Sequence, residues 1–365
     1  MIFLQKRSKF THCSSWFGSR EITITNEPAT PHKIGKIMNL GLQRQSVTVV
    51  YAIREADGIS SFNNFIASCN EHTMSLISTP RIIVALKDST SGFRSEIEQI
   101  VKGANLNIDL VEVPSSGFAF GSWLYVIERD NAEIFVLLTA TSEATADGWV
   151  DFLTLGLIDP NVGIIASMCS EESVKETYRL SQLLRVKIHL GIRLSNFEQD
   201  ISDVLGLSSK KTRNLEIWNF KPNLFLNTLA GLLRNLLLFL FKNRGDWSWK
   251  RTFPGSPNLH FRTTGFAVRR EVYLTMVGDL PRNKIEDFAM ESGSKSLTRL
   301  VQASGLKINI YLVGEGLVDL GSQAARRTFR WIGGNSIVKD AHAREFSTYS
   351  IRQQTSLQEL SHSKN

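Results

Sequence analysis

The fold of this chain is decided by SVTVVYAIREADG, residues 46–58, in which an unbroken apolar run ends near the turn Asp57-Gly58. A short apolar run bounded by turn residues is typical of a strand that is buried on both faces of a sheet. Segments with helical periodicity separate this run from similar ones at 81–86, 108–113, 134–138 and 162–166. Because strands alternate with helices, the sequence predicts an α/β fold with a doubly wound, mostly parallel sheet and helices on both faces.

Changes in periodicity and composition divide the chain into five segments. Later strands near 261–268 and 307–313 are expected to extend the sheet, so the α/β fold encloses a long helical insertion. The expected segments are a loosely ordered extension at 1–44, an α/β half at 45–173, the helical insertion at 174–251, a second α/β half at 252–346 and a polar tail at 347–365.

The composition is that of a globular protein with a core. The chain has 365 residues, of which 42% are apolar and 21% are charged. Its three cysteines, Cys13, Cys69 and Cys169, are far apart and odd in number, which argues against a disulfide framework and against a zinc site. The first residues lack the basic segment and the long apolar segment of a signal peptide. We therefore expect a cytoplasmic protein.

The positive charge is concentrated in one segment. The formal net charge is +7, and residues 210–251 contain nine Lys and Arg against two Asp and Glu, a local balance of +7. A nucleic-acid binder would carry a recognisable module or a basic face with interleaved aromatics, and the sequence has neither. No nucleic-acid partner is expected.

Within that segment, residues 224–241 form an apolar helical pattern with a narrow polar stripe. Tryptophans and basic residues flank the pattern, as in helices that lie in a membrane interface. Arg234 at its centre argues against a transmembrane span, because a central arginine costs about 3 kcal/mol on insertion scales. The pattern predicts either contact with an anionic membrane at its inner face, or a buried core helix, or a homodimer contact.

Several motifs resemble a known family. The runs at 46–51 and 134–138, RIIVALKD at 81–88 and ADGW at 146–149 are similar to the nucleotide-binding half of family 2 glycosyltransferases of GT-A fold. In the second half, Glu286-Asp287 falls where that family has its Glu-Asp base motif. The resemblance extends over about residues 46–345.

Four further motifs resemble a bacterial subgroup of these transferases that is found near surface-polysaccharide genes. They are GFAFGSW at 117–123, NLHFRT at 258–263, ESG at 291–293 with Thr298-Arg299, and FRW at 329–331. The subgroup usually has acidic residues around the glycine pair, whereas this chain has Ser115, Ser116 and Ala119 there.

The resemblance implies transfer of a hexosyl-type sugar, with inversion, from a UDP- or GDP-linked donor to a glycan or lipid-linked acceptor. It makes 45–173 the nucleotide-sugar half and 252–346 the acceptor and catalytic half. Asp57 and Asp88 are also ordinary turn residues, and His260 could be satisfied within the core. The residues assigned to nucleotide-sugar binding are Asp57, Lys87, Asp88, Gly117, Gly121, Thr139, His260, Arg262 and Arg299.

An inverting transferase needs a base that takes the proton of the acceptor hydroxyl. Asp287, Glu286 and Glu291 are the candidates, and the spacing of 287 and 291 places them on one helix face. Carboxylates at the start of a helix also occur because they oppose its positive dipole. One of the three is expected to be the catalytic base.

The metal motif departs from the family pattern. The resemblance implies Mg²⁺ or Mn²⁺ held by Asp-x-Asp after the fourth strand, but LTATSE at 138–143 offers only Glu143 as a carboxylate. Either Lys87, Arg262 or Arg299 stabilises the leaving group, or the donor chemistry has been lost. Two alternatives to an active enzyme therefore remain open: a nucleotide-sugar-binding homologue without turnover, and a non-enzymatic protein of the membrane surface.

Overall fold

A central sheet organises the computed structural model, which describes residues 45–77, 79–189, 192–207 and 252–361. In this part of the chain eight strands form the sheet in the order β11-β10-β6-β9-β4-β1-β2-β3. Their bounds are β1 Val47–Arg54, β2 Arg81–Lys87, β3 Ile108–Glu112, β4 Ile134–Thr139, β6 Val162–Ala166, β9 Gly265–Arg269, β10 Lys307–Leu312 and β11 Gly316–Asp319.

Most neighbouring strands of the sheet run parallel. β1 pairs in parallel with β2 and β4, β2 with β3, and β6 with β10. β9 enters antiparallel between β4 and β6, and β11 is antiparallel to β10. The predicted α/β class, doubly wound and mostly parallel, is confirmed. The strand expected near 261–268 is divided: Gly265–Arg269 joins the central sheet, while β8, His260–Phe261, pairs instead with β7, Cys169–Ser170.

Helices cover both faces of the sheet, because successive side chains of each buried strand point to opposite sides. In β1, Val49, Tyr51 and Ile53 pack in one core and Val50 with Ala52 in the other. The first core contains α1 Ile59–Glu71, α2 Ser91–Gly103 and α4 Trp149–Thr154; the second contains α3 Phe118–Arg129, α7 Arg270–Met276 and α9 Leu297–Ala303.

The remaining elements lie around the ends of the sheet. Short 3₁₀ helices span Glu55–Asp57 and Leu155–Ile158, and β5 Glu143–Ala144 pairs with β12 Val338–Lys339. The other helices are α5 Val174–His189, α6 Asn196–Val204, α8 Lys284–Ser292, α10 Gln323–Arg326, α11 Ala341–Thr348 and α12 Ile351–Ser361.

The sequence predicts only a polar tail at the end of the chain, whereas the structure has a packed helix there. Residues Ile351–Ser361 form α12, which packs against α6 through a small cluster of Leu184, Ile201, Phe346 and Leu357. The polar residues of α12 are satisfied locally: Arg352 and Ser356 both donate to Asp200. The helix is held by one buried leucine and by hydrogen bonds from its polar side chains to Asp200. The composition of the segment does not reveal these hydrogen bonds, because their acceptor is distant in sequence.

Two of the predicted segments lie wholly or largely outside the described residues. The extension at 1–44 lies wholly outside them. The insertion at 174–251 lies largely outside them, because residues 208–251, including the apolar pattern at 224–241, are not described. Of the insertion, the structure describes helices α5 and α6. Among the helices it describes, none combines the length and the apolar character needed to cross a bilayer.

The packing of α12 can be tested with two alanine substitutions in the same helix. Leu357 is 1% exposed and Ile351 is 68% exposed. We expect L357A to lower the free energy of unfolding by about 2–5 kcal/mol, because it leaves a cavity, and I351A by about 0.5 kcal/mol or less. Urea denaturation of both variants measures the difference. Equal effects would show that α12 is not packed as described.

Candidate functional site

A cavity of about 230 Å³ opens where β1, β2 and β4 end. The carboxyl ends of parallel strands are where α/β sheets bind ligands, at the point where the strand order reverses. Here the order reverses at β1, which lies between β2 and β4. The walls come from the ends of these strands, the start of α3, residues 262–264 and one face of α8.

Asp57 lines the cavity and is held by Arg54, the last residue of β1. The Arg54 guanidinium donates to both carboxylate oxygens of Asp57, at 2.6 Å and 3.1 Å, and the Arg54 backbone N–H donates at 2.9 Å. The carboxylate is thereby fixed at the rim of the sheet. Asp88, in contrast, is exposed, has a positive φ of 50° and is not part of the lining, so its place is that of a turn residue.

Lys87, the last residue of β2, is a buried cation in the cavity wall. It is 4% exposed, and its Nζ donates to the carbonyl oxygens of Ser116 and Phe118 at 3.1 Å and 3.2 Å. The ammonium also lies 5.5 Å from the centre of the Phe118 ring. Burial lowers the pKa of Lys87. Among the residues that the structure describes, no carboxylate lies within ion-pair distance of it.

Gly117 and Gly121 shape the start of α3 without lining the cavity. Gly117 adopts φ 79°, and a side chain there would lie 2.7 Å from the Gly121 Cα. A Cβ on Gly121 would clash with the carbonyl oxygen of Ser116. The two glycines therefore allow the backbone at 116–117 to pack directly against the backbone at Gly121. This packing brings the first residues of α3 to the cavity.

Helix α8 carries all three candidate bases and brings two of them to the cavity. Asn283 caps the helix by accepting from the backbone N–H groups of Ile285 and Glu286. Asp287 and Glu291, one turn apart, both line the cavity. Glu286 lies 100° around the helix and accepts from Arg282 instead; those hydrogen bonds lower its pKa.

Asp287 has the electrostatic environment of a proton acceptor. Its side chain is 12% exposed, and burial raises its pKa, with the nearby Glu291 charge adding to the increase. Lys284 opposes the shift through an ion pair of 2.6 Å. A carboxylate with a raised pKa in a cleft is a stronger base than an exposed aspartate, and such groups occur often at active sites.

Arg262 is held among two carboxylates and an aromatic ring. It pairs with Asp340 at 2.8 Å and with Glu291 at 3.6 Å, and it stacks on Phe329 at 4.3 Å from the ring centre. Burial alone would raise the pKa of Asp340, but the Arg262 charge and the hydrogen bonds from Ala343 and Arg262 together outweigh it, and the pKa is lowered. Arg262 lines the cavity with its charge already compensated. Sequence reasoning missed Asp340, because it lies 78 positions from Arg262.

His260 and Arg299 lie outside the cavity lining. His260 is 3% exposed, and its Nδ1 lies 2.7 Å from the Asn258 carbonyl oxygen; burial lowers its pKa, so the ring is neutral at pH 7. Arg299 donates to the Asn258 side chain at 3.2 Å. Both residues organise the segment that leads into Arg262.

The residues after β4 do not fit a divalent metal. Thr139 lines the cavity, but Glu143 forms an ion pair of 2.9 Å with Arg344 of α11. Arg344 also donates to the Thr141 carbonyl at 2.8 Å, so a guanidinium takes the oxygens that a cation would need. Across the described ranges, no group of three His, Cys, Asp or Glu side chains could hold a metal.

Comparisons with known proteins give similarity only to solved structures. No family model and no curated protein matches the chain. The solved structures include a mannosyltransferase, PcManGT, from Pyrobaculum calidifontis in complex with GDP-Man and Mn²⁺ (21% identity, TM-score 0.28). They also include GalNAc-T7 with UDP, GalNAc and Mn²⁺ (13%, 0.29) and S. aureus TarS 1–349 with UDP-GlcNAc (10%, 0.27).

These three solved structures are glycosyltransferases of GT-A type. The aligned region covers 40%, 33% and 33% of this chain, and 41%, 22% and 33% of those chains respectively. At such coverage and TM-scores the similarity carries no conclusion about activity, metal or substrate. The fold class follows from the strand order and pairing of this chain itself.

The role of the glycine pair can be tested with matched alanine substitutions. G121A places a methyl group against the Ser116 carbonyl, whereas a methyl at Gly103 of α2 meets nothing within 4 Å. We expect G121A to lower the free energy of unfolding by about 1–3 kcal/mol, and G103A to leave it unchanged or raise it by up to about 1 kcal/mol. Chemical denaturation measures both. A G121A protein as stable as G103A would contradict the close packing at the start of α3.

Proposed function

We propose that this protein transfers a sugar from a UDP- or GDP-linked donor to a glycan or lipid-linked acceptor, with inversion at the anomeric carbon. The observation that carries the proposal is Asp287, a partly buried carboxylate of raised pKa in the wall of a cavity at the carboxyl edge of the sheet. An inverting transfer needs such a base opposite the donor. The strand ends supply the donor side of the cavity.

The nucleotide sugar would lie against the ends of β1, β2 and β4, near Asp57, Lys87 and Thr139. The acceptor would enter beside α8. Its hydroxyl oxygen forms a bond to the anomeric carbon while its proton passes to an Asp287 carboxylate oxygen. The bond between the sugar and the diphosphate breaks, and the electron pair leaves with the nucleoside diphosphate.

Neighbouring charges would hold the base in place. Lys284, at 2.6 Å, orients the Asp287 carboxylate and favours its ionised form. Glu291 contacts Arg262 and lies 3.4 Å from the Thr263 backbone N–H, so it connects α8 to the segment 262–264. We assign Glu291 a positioning role and Asp287 the role of base.

The division into halves and the membrane position are proposed from the sequence. Residues 45–173 would form the nucleotide-sugar half and 252–346 the acceptor half. The basic segment 210–251 supports a peripheral position on the inner face of a membrane, where lipid-linked acceptors of polysaccharide biosynthesis would be reached.

A second candidate function is nucleotide-sugar binding without turnover. The ion pair of Glu143 with Arg344 favours it, because the carboxylate expected at the metal position is neutralised. Both candidates predict that a nucleotide sugar stabilises the protein against unfolding, by about 2.7 kcal/mol at a concentration of 100 Kd. Only the first predicts release of nucleoside diphosphate in the presence of an acceptor.

Substitution of the base tests the catalytic assignment. After a thermal-shift screen identifies the donor, release of nucleoside diphosphate is measured with glycolipid extracts as acceptors. We expect D287N to lower the rate about 10²- to 10⁴-fold while the thermal shift with donor persists. E286Q, one position away, is expected to retain the rate. A D287N enzyme with full activity, or an equal loss in E286Q, would contradict the assignment.

The pH dependence of transfer provides an independent test. The base acts only when it is ionised, so the rate should fall as the pH drops through the pKa of Asp287. Because burial raises that pKa, the fall should be centred above the ordinary aspartate value of about 3.9. A pH–rate profile of kcat/KM locates it. A rate that stays constant down to pH 4 would show that Asp287 is not the base.

A further inference from the structure

The positive and negative charges of the side chains that line the cavity do not sum to zero. Among the residues that the structure describes, four cations and three carboxylates line it. Each carboxylate has one of these cations as its partner, at N–O distances of 2.6, 2.6 and 3.6 Å: Asp57 with Arg54, Asp287 with Lys284, and Glu291 with Arg262. Arg262 has Asp340 as a second partner, at 2.8 Å. The cation left over is Lys87.

The buried Lys87 ammonium forms no ion pair with a carboxylate of the described residues, and the charges of Asp88 and Asp287 act on it only from beyond ion-pair distance. The carbonyl oxygens of Ser116 and Phe118 account for two of its three N–H groups. Burial lowers the pKa of Lys87 despite these two charges, so the ammonium is costly to bury unless a further opposite charge joins it. The start of the 12-residue helix α3 lines the same cavity and adds the positive end of its dipole. This wall of the cavity therefore favours an anion.

The two other cations that the sequence offers for a leaving group are engaged elsewhere. Arg262 is neutralised by Glu291 and Asp340. Arg299 donates to Asn258 and does not line the cavity. The oxygens that could hold a divalent cation after β4 are bound by Arg344. Within the described part of the chain, Lys87 is thus the cavity cation that has no ion-pair partner and remains available to a bound ligand.

We propose that this cavity binds a diphosphate group without a divalent cation and that Lys87 supplies the opposing charge. That the diphosphate belongs to a nucleotide sugar rests on the proposed function; the anion site itself rests on the charges of the wall. In transfer, the electron pair of the broken bond goes to a diphosphate oxygen, and the Lys87 ammonium stabilises the charge that develops there.

The test uses inorganic pyrophosphate and UDP or GDP as probes, with the full chain in buffer containing EDTA. Calorimetry should detect binding of both probes to the wild-type protein. K87M should weaken both by about 10- to 100-fold, since a charged hydrogen-bond donor is removed. K102M, the same substitution on the exposed surface of α2, should leave both affinities unchanged. The melting temperature of each unliganded variant shows whether it is folded.

Each outcome decides the inference. Binding of pyrophosphate in EDTA that is weakened in a folded K87M protein supports it. Two results with the wild-type protein would overturn it. One is binding of pyrophosphate only when Mn²⁺ is added, and the other is no binding in EDTA at a pyrophosphate concentration of about 10 mM, where even a Kd in the millimolar range would be detected. Unchanged affinity in K87M also overturns it.

The proposed function fails separately. If pyrophosphate binds through Lys87 but no nucleotide sugar binds or is turned over, the anion site stands and the transferase proposal falls. If sugar transfer occurs but requires Mn²⁺, the transferase proposal stands and the metal-free site falls.

Discussion

The candidate site depends on one partly buried cation, Arg262. Its guanidinium joins three parts of the second half of the chain: α8 through Glu291, the start of α11 through Asp340, and the ring of Phe329. Asp340 in turn caps α11 by accepting from the Ala343 N–H at 2.7 Å. Removing one member of such a buried pair typically costs about 3–5 kcal/mol, because the other charge is left without a partner. The face of α8 that carries Asp287 is positioned by this contact.

The central sheet was predictable because its signal is local. β1, β2, β4 and β6 are short, mainly apolar runs, and β1 is buried from Thr48 to Ile53. The direction of β9 was not predictable in the same way, since a five-residue strand does not indicate by its sequence whether it runs parallel to its neighbours. Helix α12 was missed because the signal for it is one leucine and side-chain pairings to a distant helix.

The site was predictable in part. Asp57, Lys87, Thr139, Arg262, Asp287 and Glu291 line one cavity, because they follow strand ends that meet at one edge or share a helix face. Asp88, Gly117, Gly121, Glu143, Glu286, His260 and Arg299 are not in its lining. Whether a residue lines the cavity depends on its hydrogen-bond and ion-pair partners, which are often distant in sequence. Arg344, for example, lies about two hundred positions from Thr141, and no local pattern connects a residue of α11 with the end of β4.

The most direct test of the account is a crystal structure of the protein with UDP or GDP bound, grown in EDTA. We predict that the diphosphate lies within hydrogen-bond distance of Lys87 Nζ, with the nucleoside toward Asp57 and the sugar position open toward Asp287. The Glu143–Arg344 ion pair should remain closed. A nucleotide bound elsewhere, or a diphosphate reached only through a metal at Glu143 after Arg344 has moved away, would contradict the account.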